Sequence, residues 1–205
     1  MKNKNKRDLD LVKIIAYLNC DGHLYKELKG FYLSARSRDF ILDFKEAVYR
    51  KFGLKGLFEL GNGEGRTVIY RVLNTEVAKF LNKNGAIKGN KVLTKFDVPQ
   101  WIKRRREFSR LYLAICFFCE GHKEKRSKKS SRIAINFNKW EEISDSGMGY
   151  MQSLKEMLLK FKISTGKIGK QKGNLRKDGK ITKTLRFRIK TSDTDTFIKE
   201  IGWYK

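Results

Sequence analysis

The sequence predicts an α+β protein built as a diverged tandem repeat, and three observations carry that reading. Two apolar, helix-like runs, residues 14–22 (IIAYLNCDG) and 113–121 (LAICFFCEG), each end in an acidic residue followed by glycine. The acidic positions, Asp21 and Glu120, stand 99 residues apart in a chain of 205. Downstream of each run, hydrophobic segments recur in a similar order, alternating helices with hairpins. This length accommodates one large domain or two of about 100 residues, each with a modest core.

In the first half, residues 9–21 read as a helix because Leu11, Ile14, Ile15 and Leu18 recur at helical spacing, with Asp8 as N-cap. Residues 22–27 and 31–36 read as a hairpin around 28–30. The amphipathic stretch 37–52 is led by Ser37 and stopped by Gly53. Residues 54–60 and 67–73 form a second hairpin across the turn-rich 61–65, and a helix over 75–84 ends at Gly85. The sole proline, Pro99, marks a linker over 98–107 between a first half, 1–97, and a second half, 108–205. The second half repeats the order: helix 108–120, strands near 122–126 and 132–137, helix 149–161, strands 162–170 and 180–190, helix 193–201. Residues 125–131 (KRSKKSS) are the lowest-complexity stretch and are expected to be a mobile loop. Residues 172–180 (KGNLRKDGK) carry turn chemistry.

A formal charge of +25 and a pI near 10.0 are extreme for a folded domain. Charge of one sign on this scale opposes compaction and favours a polyanionic partner, nucleic acid before an anionic membrane surface. The basic residues gather after the second apolar run and along 160–190, on segments that read as strands and hairpin loops. Residues 185–190 (LRFRIK) alternate, so Arg186, Arg188 and Lys190 share one face while Leu185, Phe187 and Ile189 pack on the helices behind. A strand of about 10 residues is roughly 33 Å long, near one helical turn of B-DNA.

No apolar run approaches the roughly 18–20 residues that span a bilayer. The basic N-terminus (MKNKNKRDLDLVK) runs into an amphipathic helix rather than a signal sequence. An odd, low count of 3 cysteines argues against a disulfide framework, so a cytoplasmic, reducing compartment is expected. Cys20/His23 and Cys119/His122 repeat a C-x-x-H spacing, and Cys116 adds a CxxC. A zinc site is conceivable from this set. Small cysteines at close-packed helix positions explain it better.

Glycine after an apolar helix is a common C-cap. A carboxylate before it sits at the unfavourable end of the helix dipole unless a cation lies beside it. Two such carboxylates in two repeats suggest a shared cation site on a pseudo-twofold axis. Hydrolysis of a phosphodiester needs an activated water and neutralised charge, which hard cations on carboxylate oxygens provide.

The two runs resemble the LAGLIDADG motif of homing endonucleases, with Asp21 and Glu120 on its acidic position. The likeness continues through residues 76–85 (EVAKFLNKNG), 98–102 (VPQWI) and 186–202 (RFRIKTSDTDTFIKEIG). It implies two pseudo-symmetric αββαββα halves, with motif helices packed at their interface and basic antiparallel sheets forming a DNA-binding saddle. It also implies a monomeric hydrolase, a Mg²⁺- or Mn²⁺-dependent endodeoxyribonuclease. Such an enzyme makes a staggered double-strand break at a long asymmetric site, and its gene lies in or beside a mobile intron or intein.

By the same resemblance, Asp21 and Glu120 hold the metal, with backbone carbonyls at Cys20, Gly22, Cys119 and Gly121 as further ligands. A basic residue belongs at the end of a following strand. In the first half it is Arg36, where lysine is more usual. In the second the register leaves Asn138 or Lys139, with Lys139 favoured. The DNA contacts fall on His23, Lys26, Tyr32, Ser34, Arg71, Lys123, Lys125, Arg132, Arg186, Arg188 and Lys190. One departure concerns the helix-packing face, where Ala16, Cys20 and Cys119 are small but Ile115 is not. The competing readings are an RNA-binding maturase that assists intron splicing and a non-catalytic DNA-binding regulator. The two carboxylates favour the nuclease, because a pure binder has no use for anions beside phosphates.

Overall fold

The computed structural model describes residues 2–61, 67–127 and 130–202. Among the described residues there are seven α-helices and two four-stranded antiparallel sheets, an α+β architecture. The chain divides into two compact units, Met1–Asn90 and Lys91–Lys205.

The first unit runs α1 (Lys2–Asn19), β1 (Gly22–Leu24), β2 (Phe31–Ala35), α2 (Arg38–Phe52), β3 (Leu57–Leu60), β4 (Val68–Val72) and α3 (Thr75–Lys83). Its sheet order is β1-β2-β4-β3. Period-two alternation buries Phe31 and Leu33 of β2 and Tyr70 and Val72 of β4, and Phe44 of α2 meets Phe31 and Tyr70 edge-on. Helix α1 starts well before residue 9, so Asp8 lies inside it and is no cap. Acidic residues of α1 instead face the basic last turn of α2: Asp10 accepts from Nε and Nη2 of Arg50, the shortest contact being 2.8 Å, and Asp8 lies 3.8 Å from Lys51. Those pairs stabilise α2 where its dipole favours cations. Gly53 closes α2 at φ 69°, as expected. Asn74, which the sequence did not signal, caps α3 by accepting from Val77 N–H at 2.9 Å. The turn expected at 61–65 lies largely outside the described residues.

The second unit runs α4 (Gln100–Arg104), α5 (Arg106–Glu120), β5 (Gly121–Ser127), β6 (Ser130–Trp140), α6 (Ser144–Leu159), β7 (Gly169–Leu175), β8 (Ile181–Arg188) and α7 (Thr194–Glu200). Its sheet order, β5-β6-β8-β7, repeats that of the first. Residues 98–107 hold helix α4, and the chain divides into its two units after Asn90; the segment that follows docks on β6, where Trp140 N–H donates to Val92 C=O at 3.0 Å. Three expectations change. Strands occupy 125–127 and 130–131, within the stretch expected to be a loop. Strand β7 runs over 169–175, and the turn shrinks to 176–179, with Gly179 at φ 75°. Helix α6 begins at Ser144 rather than 149 and runs straight through two glycines.

The glycines of α6 differ in kind. A Cβ on Gly147 would sit 2.4 Å from Leu185 Cδ1 and 2.6 Å from Lys139 Cγ, so this glycine lets helix and sheet approach. A Cβ on Gly149 would meet nothing within 4 Å. Gly149→Ala is therefore expected to stabilise the fold by about 0.5–1 kcal/mol, by recovering helix propensity. Gly147→Ala should destabilise it by about 1–3 kcal/mol through overpacking. Urea denaturation of the two variants checks both signs.

Candidate functional site

In each unit the motif helix passes directly into the first strand. Helix α1 ends at Asn19, Cys20 N–H is shared between Ala16 C=O at 3.1 Å and Tyr17 C=O at 3.2 Å, and Asp21 is exposed before β1. Glu120 is the last residue of α5 and is half-buried. Gly22 pairs with Leu33 and Gly121 with Ile135, so the two carboxylates occupy one topological address in both repeats. The glycines are not left-handed caps: Gly121 is extended at φ −79°, ψ 154°. Their role is steric. A Cβ on Gly121 would stand 2.2 Å from Phe117 C=O, and one on Gly22 would stand 2.9 Å from Leu18 Cα.

Asn19 escaped the sequence reading. It is 1% exposed; its amide donates to Gly85 C=O at 3.1 Å, and its carbonyl accepts from Ile87 N–H at 3.0 Å. The segment after α3 is thereby tied to the end of α1, two residues before Asp21. The available signal was one amide inside an apolar run. Cys20 and Cys116 are buried, Cys119 is half-buried, and none of the three forms a disulfide. Among the described residues no group of three or more His, Cys, Asp or Glu is arranged to hold a metal ion.

The sheet of the first unit brings four expected contact residues onto one face. His23 pairs with Tyr32 and Tyr32 with Arg71, while Ser34 pairs with Ile69 beside them. Tyr25, not anticipated, completes a ring cluster with His23 and Tyr32, centroids 5.2–5.7 Å apart. The Arg71 guanidinium lies over both tyrosines, at 6.0 and 5.7 Å, and pairs with Glu59 at 2.7 Å. Burial, then Tyr25, raises the Tyr32 phenol, with Arg71 opposing. Lys26 is exposed in the adjoining turn.

The second sheet presents arginines. Arg188 pairs with Ala134 and Arg186 with Asn136, while Leu185, Phe187 and Ile189 are buried on the opposite face. Arg132 shares the arginine face through its pairing with Glu124. Lys123 does not, because it pairs with Ile133, which is buried on the helix side. Lys125 lies in β5 opposite Ser131. Lys190 is exposed beyond the end of β8, its N–H bonded to Ser164 C=O. Glu124 sits among the arginines, with Arg188 Nε at 2.7 Å and Arg186 against its other oxygen.

The two register candidates of the second half, Asn138 and Lys139, lie on opposite faces of β6. Counting from the paired residues Leu33 and Ile135, Arg36 corresponds to Asn138, which is exposed. Lys139 is 1% exposed on the helix side of β6, where its ammonium donates to Lys91 C=O at 2.5 Å and Thr94 C=O at 2.8 Å, 3.7 Å from the Phe96 ring centre. Burial, then the charge of Lys91, pushes its pKa down to about 7. Its polar end is thus occupied by main-chain carbonyls of 91–94. Arg36 is exposed just past β2.

No family model matches the sequence. The tRNA-splicing ligase RtcB of Methanopyrus kandleri is 27% identical over 171 residues, which is 76% of this chain and 17% of the length of that protein. Among solved structures, mesophilic variants of the homing endonuclease I-DmoI superpose with a TM-score of 0.56 at 12% identity, over 96% of this chain and 98% of theirs. I-DmoI in complex with DNA and Mn gives 0.54 at 13% identity, over 95% and 99%. The N-terminal LAGLIDADG domain of DUF199/WhiA gives 0.57 at 13% identity, over 97% and 83%. At identities this low the likeness establishes the fold alone: the chain has the LAGLIDADG-type fold that its two motifs announce.

Proposed function

We propose that this protein is a site-specific DNA endonuclease that depends on a divalent metal and cuts both strands of a long site. The observation that carries the reading is the recurrence of a carboxylate, Asp21 and Glu120, immediately before the glycine that opens each sheet, in one register. The fold is common to an endonuclease and to a WhiA domain, so the carboxylate pair, not the fold, argues for cleavage. A single hard carboxylate per unit suits Mg²⁺ or Mn²⁺, which keep several waters and use few protein ligands. An ion at each of the two carboxylates, Asp21 and Glu120, would supply an activated water and charge neutralisation at the phosphate. The chain's own residues bind and orient the duplex: the arginine face of β5, β6 and β8 on one unit, the His23–Tyr32–Arg71 face on the other. The planar guanidinium of Arg36 steadies charge on the phosphate of the strand being cut. A curated match confined to 17% of a much longer protein fits an endonuclease domain carried inside a host protein, as in an intein.

Incubation with the uninterrupted host locus, with and without Mg²⁺, is expected to give double-strand breaks only with the metal. Binding without cleavage would favour the regulator, and a preference for intron RNA over duplex at matched salt would favour the maturase. With about 8 phosphate contacts, the slope of log K against log salt should be near −7. A slope shallower than about −3 contradicts a saddle that tracks phosphates.

A further inference from the structure

The arginine face holds an anion that a phosphate-binding surface does not need. Glu124 is 18% exposed and lies on β5, two strands from the arginines that hold it. Arg188 Nε reaches one of its oxygens at 2.7 Å, Arg186 meets the other, and His122 Nε2 lies 3.2 Å from that second oxygen. The side chains cross β6 where it carries Ala134, the residue paired with both His122 and Arg188. A larger side chain there would block the crossing. Beside the pair, Arg186 Nε and Asn136 Oδ1 are buried without a hydrogen-bond partner in the protein, and they belong to cross-strand neighbours.

This is a row of fixed donors next to a fixed acceptor. The major-groove edge of a G·C pair offers the reverse order: guanine N7 and O6 accept, and the adjacent cytosine N4 amino group donates. An A·T pair does not offer two adjacent acceptors followed by a donor. We infer that Arg188, Arg186 and Glu124 form a base-reading subsite for one G·C pair, the guanidinium groups on guanine and the Glu124 carboxylate on cytosine N4. The inference rests on the duplex-DNA reading above. Glu124 also withholds the two arginines from phosphates, so it lowers affinity for non-cognate DNA while raising discrimination.

The test is selection from a randomised duplex DNA library with the full chain, comparing wild type with Glu124→Gln. Wild type is expected to enrich a G·C pair at one position. Glu124→Gln is expected to lose that enrichment by about 10-fold or more while keeping the others, because a glutamine amide accepts and donates alike. Its binding to non-cognate duplex should tighten several-fold, with a salt slope steeper by about 1–2 as arginines are freed for phosphates. Wild-type enrichment with an unchanged Glu124→Gln profile overturns the subsite and leaves the duplex reading intact. No enrichment by wild type overturns both. Should Glu124→Gln fail to fold by thermal denaturation, Glu124→Asp keeps the charge but shortens the reach. It should lose the same base position without gaining non-cognate affinity, and an unchanged profile in that variant overturns the inference.

Discussion

Asp21→Asn is expected to abolish double-strand cleavage, lowering the rate by about 10²–10³-fold or more, while leaving duplex affinity unchanged or slightly improved. The substitution keeps shape and removes charge. Asp21 is exposed at the helix–strand junction, so the fold has little to lose. Removing an anion beside phosphates relieves repulsion in the bound state, whereas a neutral amide is a much weaker ligand for a hard cation. Glu120→Gln should behave alike, with one added expectation. If each carboxylate serves one strand, a single substitution leaves a nicked intermediate before any double-strand product. Gel separation of nicked and linear plasmid, beside a binding isotherm in Ca²⁺, measures both quantities. Affinity falling in step with cleavage would mean that the carboxylates hold the fold instead.

The second large effect concerns Lys139. Its pKa of about 7 in the folded protein lies below the ordinary lysine value near 10.4 in the unfolded chain. Between those values the unfolded chain binds more protons, so stability rises with pH from about 7 to about 10. Below pH 7 the cost of burying the ammonium is present in full. The size of the gap makes the rise on the order of 5 kcal/mol at most. In Lys139→Met the side chain no longer titrates, and Lys91 C=O and Thr94 C=O lose their donor, at about 1–3 kcal/mol each. The difference in stability between wild type and Lys139→Met should therefore grow as pH rises. Urea denaturation of both at pH 6.5, 8 and 9.5 isolates the lysine, because the other titrating groups are shared. A constant difference would mean that Lys139 stays charged throughout the range.

Much of this molecule was legible in one dimension. The repeat, the two carboxylates and the order of helices and hairpins follow from hydrophobic periodicity and from punctuation by glycine, which are local properties. The alternation of residues 185–190 was enough to place Arg186 and Arg188 together, away from Leu185, Phe187 and Ile189. Only the tertiary structure could decide three other matters. A slip of one residue turns every side chain of a strand to the other face, so sequence could not choose between Asn138 and Lys139 or see Lys123 leave the arginine face. Glycine marks a stop in sequence, yet Gly147 lies inside α6 because Leu185 and Lys139, distant in sequence, leave no room for a Cβ. In sequence, Glu124 is a lone acid in a basic run. Its meaning comes from Arg186 and Arg188, more than 60 residues further on, which antiparallel pairing through β6 brings across the sheet to its carboxylate.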